Sequence, residues 1–181
     1  LVSDIRSHFP LVFQRVSAFE GEANGMITDN VNTIFSDAEG HFWMGTAGGG
    51  LFWKHADSDS FRSLDGRLPG TNIYDIQQDR EGFLWVSTNR GLTRLQVSGV
   101  DVEVNNFLED NGLQGNIFNK GAGFKDENGN LFFGGNNGLN YFDPESVRLD
   151  DYSPPVVITE LKVMNEEVVP LTSLDDPLVL T

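Results

Sequence analysis

Apolar and polar residues alternate in short runs along this chain, and each run ends at a turn signal. Val31-Asn32-Thr33-Ile34-Phe35-Ser36 has the length and β-branched bias of a strand, and Asp37-Ala38-Glu39-Gly40 closes it. Residues 42–45 and 51–54 are two further apolar runs joined by a glycine-rich connection, and residues 60–64 make a fourth. The order returns at 72–76, 83–87, 92–95 and 102–107. A third pass starts at 115–118, carries Gly121-Ala122-Gly123 in its inner-strand region, and continues through 131–133 and 139–142. Small residues there suit a crowded position. Residues 12–16 read as a strand preceding the first unit. No stretch shows the period of an amphipathic helix.

The three passes are copies of one unit. Asp37-Ala38-Glu39-Gly40-His41-Phe42-Trp43-Met44-Gly45-Thr46 is followed by Gly50-Leu51. Asp79-Arg80-Glu81-Gly82-Phe83-Leu84-Trp85-Val86-Ser87-Thr88 is followed by Gly91-Leu92. Asp126-Glu127-Asn128-Gly129-Asn130-Leu131-Phe132-Phe133-Gly134-Gly135 is followed by Gly138-Leu139. The leading aspartates stand 42 and 47 residues apart. That period, with an aromatic after each D-x-x-G turn, predicts an array of β-sheet blades. The expected fold class is therefore all-β: about three four-stranded antiparallel β-propeller blades, an incomplete propeller, followed by the first strands of a β-sandwich. Blades are assigned to residues 1–152. Residues 153–181 are assigned to the truncated sandwich, because no D-x-x-G turn follows Pro154-Pro155 and residues 156–163 read as a new strand. Residues 168–169 and 178–180 are shorter candidates.

In each unit the turn and aromatic are scaffold: Asp37, Gly40 and Trp43; Asp79, Gly82 and Trp85; Asp126, Gly129 and Phe132. The aromatics are expected to be buried between neighbouring sheets. Strands one and two meet at the D-x-x-G hairpin. Antiparallel order then sends the residue before strand one, and the loop between strands two and three, to the opposite end. That end gathers Asn30, Asn72 and Asn116 with the loops 47–49, Asn89-Arg90 and Asn136-Asn137. Asn89, Arg90, Asn136 and Asn137 are the candidate ligand-binding residues, and turn capping by asparagine is the competing reading.

Charge and composition narrow the function. Twelve Lys and Arg against 27 Asp and Glu, a formal net charge of −15, leave no basic face for nucleic acid or an anionic membrane. The chain has no cysteine, which removes disulfides and thiolate metal sites. It begins at Leu1 with no signal-peptide pattern, and the expectation is a piece of a longer protein.

Other chemistries fit less well. Asp126-Glu127-Asn128-Gly129-Asn130 starts like a calcium loop, but the twelfth position, which needs a bidentate Glu, is Asn137. Residues 45–50 are glycine-rich but lack the P-loop lysine. Asp57, Asp59, Asp75, Glu109 and Asp110 are the carboxylates from which a glycosidase pair would have to come. His8, His41 and His55 share no metal-ligand spacing, and His41 reads as a solvated turn residue. No metal and no cofactor are expected.

The repeats resemble the two-component regulator propeller family. Asn30, Asp37, Gly40, Trp43, Gly45, Thr46, Gly50 and Leu51 match its unit. Asn72, Asp79, Gly82, Trp85, Thr88, Gly91 and Leu92 match it again, with Ser87 where glycine is usual. The third unit resembles a last blade, and Pro154-Pro155-Val156-Val157-Ile158-Thr159 the first strand of the following immunoglobulin-like module. The resemblance implies a periplasmic sensor region of an inner-membrane receptor, with no catalysis in this segment. A histidine kinase or diguanylate cyclase would lie downstream. It also implies a possible small-molecule or glycan ligand. Three blades leave open sheet edges, so a homodimer or edge-to-edge oligomer is expected. A propeller glycosidase or lyase and a protein-binding assembly module are the alternatives.

Overall fold

A computed structural model describes residues 28–58, 60–64, 66–98, 101–149, 161–163 and 166–168. The chain divides into two compact units, Leu1–Val147 and Arg148–Thr181. The strands read at 12–16, 156–160 and 178–180 lie outside the described residues.

Among its described residues, the first unit holds three antiparallel sheets. β1 (Val31–Ser36), β2 (Phe42–Thr46), β3 (Leu51–Lys54) and β4 (Arg62–Ser63) form one in sequence order. β5 (Ile73–Gln78), β6 (Leu84–Thr88), β7 (Gly91–Ser98) and β8 (Asp101–Phe107) form the second. β9 (Phe118–Lys125), β10 (Leu131–Gly135) and β11 (Gly138–Phe142) form the third, a three-stranded sheet among the described residues. The first strands β1, β5 and β9 lie beside one another, so three radial blades share an inner edge. In the second unit, β12 (Leu161–Val163) and β13 (Glu166–Val168) form an antiparallel hairpin.

Each blade opens on the turn the sequence marks. Gly40, Gly82 and Gly129 have φ of 81°, 93° and 89°, a region other residues rarely enter. The turn's Asp folds back on it. Asp79 Oδ1 accepts from the backbone N–H groups of Glu81 (3.0 Å) and Phe83 (2.9 Å), and Oδ2 from Trp85 Nε1 (2.8 Å). Asp37 repeats the pattern with Glu39, His41 and Trp43. The aspartate thus fixes the hairpin and aims the indole into the sheet interface. In the third turn the aromatic is Phe132, which has no N–H, and Asp126 Oδ2 instead accepts from Asn130 Nδ2 (2.9 Å). That bond chiefly holds the half-buried Asp126 carboxyl below its usual range.

Trp43, 2% exposed, packs with Ile76, Leu84, Val86 and Leu95 of the second blade. Trp85, 1% exposed, packs with Phe118, Leu131 and Phe133 of the third. Burial of each indole stabilises by about 1.5–3 kcal/mol on the transfer scale. Phe132 corrects the expectation for the third aromatic. It is only half-buried, stacked on Tyr141 (5.6 Å) and beside Phe124 (6.0 Å), both exposed. Among the described residues no sheet covers that face. The third blade's fully buried aromatics are Phe118 and Phe133, on the face turned to the second blade. The first blade mirrors this: Ile34 and Phe42 are exposed, whereas their repeat counterparts Ile76 and Leu84 are each 2% exposed.

Blade spacing is set by small residues. A Cβ on Gly45 would lie 2.5 Å from Ile73 Cγ2 and 2.6 Å from Thr33 Cγ2, and one on Gly123 would overlap Asp75. Of Gly121-Ala122-Gly123, only Gly123 shows the crowding read from the sequence, since nothing lies within 4 Å of a Cβ built on Gly121. Gly45→Ala is expected to destabilise by about 1–3 kcal/mol through overpacking alone, since Gly45 needs no special backbone angle. Chemical denaturation would measure it; a neutral effect would mean the sheets are free to separate.

Candidate functional site

The loops between second and third strands emerge at the end opposite the D-x-x-G turns, together with the connections between blades. Two peptides tie this end. Asn72 O accepts from Asn89 N (3.2 Å), while the adjacent Thr71 O accepts from Gly50 N of the first blade (2.8 Å). Ile117 O accepts from Asn136 N (3.2 Å), while Asn116 O accepts from Gly91 N of the second blade (2.6 Å). Each pair thus joins a blade's own loop to that of the blade before it. The place taken by Asn30 and Asn72 in their blades belongs to Ile117 in the third, not to Asn116. Asn116 Oδ1 accepts from Glu109 N in the preceding 3-10 turn (2.8 Å).

These ties bring the Asn89-Arg90 and Asn136-Asn137 loops to one end, and the four candidate side chains divide into two kinds. Asn89 Oδ1 accepts from Asn72 N (3.2 Å), and Asn137 Nδ2 donates to Gln114 O (2.9 Å). Both side chains hold loops. Arg90 and Asn136 are exposed at the tips of their turns. They are the two able to meet a ligand without dismantling a loop.

Gln114 is the residue that pattern reading missed. In the first two blades a threonine closes the loop: Thr46 Oγ1 donates to Gly50 O (2.8 Å) and Thr88 Oγ1 to Gly91 O (3.0 Å). The third blade has Gly135 there, and the Gln114 amide fills the space its missing side chain leaves. Gln114 Oε1 accepts from Asn137 N (2.7 Å) and Nε2 donates to Ile117 O (3.2 Å). The signal was the loss of the repeat threonine at Gly135.

At the opposite end, a cavity of about 50 Å³ opens between the first two blades. Asp37, Glu39, His41, Gln78 and Glu81 are among its lining residues. His41 corrects the expectation of a solvated turn residue. Its side chain is 14% exposed, with Nδ1 3.0 Å from Asp37 Oδ2, and its ring lies edge-on to Trp53 (5.6 Å). Trp53 and His55 pack where the second blade has a longer, differently filled third strand.

Of the described carboxylates considered for hydrolysis, only Glu109 and Asp110 share an element. Asp75 lies on β5 and accepts from Gln77 Nε2 (2.8 Å). Glu109 and Asp110 open an exposed 3-10 turn, and Asp57 follows β3. Asp59 and His8 lie outside the described residues. Among the described residues no helix is long and apolar enough to cross a membrane.

Radial sheets sharing an inner edge, with braced turns at one end and tied loops at the other, define a β-propeller repeat protein. Residues 25–48 and 67–90 match the family model of the two component regulator propeller. A protein named histidine kinase P4, from Formosa agariphila, is 26% identical over 113 residues, 61% of this chain and 8% of its own length. The extracellular domain assigned to the hybrid two component system BT3049 of B. thetaiotaomicron is 29% identical. It superposes with a TM-score of 0.63 over 84% of this chain and 20% of that one. The corresponding domain of BT4673, from the same organism, is 22% identical with a TM-score of 0.51 and shares the fold. The chain therefore spans about a fifth of these solved relatives.

Proposed function

We propose that this chain is part of the periplasmic sensor region of a bacterial two-component receptor. In this reading the tied loops contribute to a ligand surface, and the signal passes to a kinase or cyclase carried elsewhere in the parent protein. The observation that carries it is the regulator-propeller repeat itself, held in register over three blades whose variable side chains gather at one end. The loops recur in place while their exposed residues change, as a recognition surface on a constant scaffold requires. A glycan suits exposed Arg90 and Asn136, which offer hydrogen bonds and no deep apolar pocket. Dimerisation through surfaces beyond the loops would let binding alter receptor geometry.

The test is calorimetric titration of this chain with a panel of neutral and acidic oligosaccharides. Arg90→Ala combined with Asn136→Ala is expected to weaken binding about tenfold, the loss of one or two hydrogen bonds. The melting temperature should stay unchanged, since neither side chain braces a loop. Binding unaffected by the double replacement, or hydrolysis of the sugar by the unmodified chain, would overturn the reading.

A further inference from the structure

The three D-x-x-G turns share one backbone, and one of them carries a feature the repeat does not need. Where the second turn has Phe83 and the third Asn130, the first has His41. The hydrogen bond from Asn130 to Asp126 shows that a polar residue here can simply brace the aspartate. His41 does more. Its Nδ1 faces two carboxylate oxygens at once, Asp37 Oδ2 at 3.0 Å and Glu39 Oε2 at 3.5 Å. A single ring N–H can satisfy only one of them.

We propose that Asp37, Glu39 and His41 bind one zinc ion in the cleft between the first two blades. The donor atoms of the three side chains lie within 4.8 Å of one another. Zinc bonds of about 2.0–2.1 Å in tetrahedral geometry set neighbouring donors about 3.3 Å apart. The separations of 3.0 and 3.5 Å bracket that edge. An imidazole nitrogen with two carboxylates favours zinc over calcium or magnesium, which take all-oxygen shells.

Charge points the same way. Neither Asp37 nor Glu39 pairs with a lysine or arginine among the described residues, whereas Glu81, which also lines the cavity, lies 3.9 Å from Arg94 Nη2 and is already compensated. The site is also held in place. Asp37 is fixed by the backbone N–H groups of Glu39 and His41 and by Trp43 Nε1 (2.7 Å), and its second oxygen keeps a lone pair for the metal. The His41 ring is fixed by Trp53 and by His55, whose ring centre lies 4.7 Å away. Glu39, with 74% of its side chain exposed, swings in from solvent and leaves an entry path. The cavity of about 50 Å³ has room for the ion and a water at the fourth position.

Calorimetric titration of the whole chain with zinc chloride alone tests this. One equivalent is expected to bind, with at least tenfold loss of affinity in His41→Phe, which installs the residue the second blade carries at this place. Glu39→Gln, at a side chain 74% exposed that keeps its size and a polar oxygen near His41, should also weaken binding while leaving the melt without zinc nearly unchanged. It therefore reads the site even where His41→Phe fails to fold. Cobalt substitution should give the intense visible absorption of a four-coordinate centre. Absence of binding, or equal binding by the unmodified chain and Glu39→Gln, would overturn the assignment and leave an aspartate-braced imidazole.

Discussion

Trp85→Ala is expected to lower the free energy of unfolding by about 3–5 kcal/mol, read from the urea midpoint. Trp85 is 1% exposed and stacks on Phe107 (5.5 Å) and against Phe142 (4.8 Å). It fills the seam between the second and third sheets with Leu92, Phe118, Leu131 and Phe133. Truncation opens a cavity whose walls belong to two sheets, so neither can close it without moving the other. It also strips Asp79 Oδ2 of its indole donor. Phe132→Ala, at the same repeat position, should cost about 1 kcal/mol or less, because its ring already lies at the surface. Equal losses at the two positions would show that repeat position, rather than cover by a neighbouring blade, sets the worth of the aromatic.

The second large effect is expected at the aspartate that organises the turn. Asp79→Ala removes the acceptor of three hydrogen bonds at a site only 7% exposed, and should cost about 3 kcal/mol. Asp126→Ala should cost markedly less, since its turn is exposed and its aromatic has no N–H to leave unpaired. Thermal melts of the two variants would rank them. A larger loss at Asp126 would mean that the backbone bonds, shared by both turns, carry the stability and the indole bond adds little.

The blades were legible in the sequence because their signals are local. An aspartate three residues before a glycine and six before an aromatic makes a turn whatever surrounds it. Strand order and end-to-end polarity followed from that turn alone. What failed depended on contacts between distant segments. Phe132 looks like Trp43 and Trp85 in sequence, yet its burial is decided by whether another sheet lies over it. Gln114 stands 21 residues before Gly135, so its role as a substitute for the loop threonine becomes visible only when β9 and β10 pair. Asn116 was aligned with Asn30 and Asn72 by residue type, whereas backbone bonding puts Ile117 in that place. That the Asn89 and Asn137 side chains brace loops while Arg90 and Asn136 stand at turn tips depends on the same long-range contacts.

The ties at Thr71-Asn72 and Asn116-Ile117 consist of backbone N–H and C=O groups. Such stitching is indifferent to side-chain identity. The loop tips can therefore be rewritten almost freely while the spacing and tilt of successive blades stay as they were. Surface chemistry at this end can diverge without renegotiating the architecture.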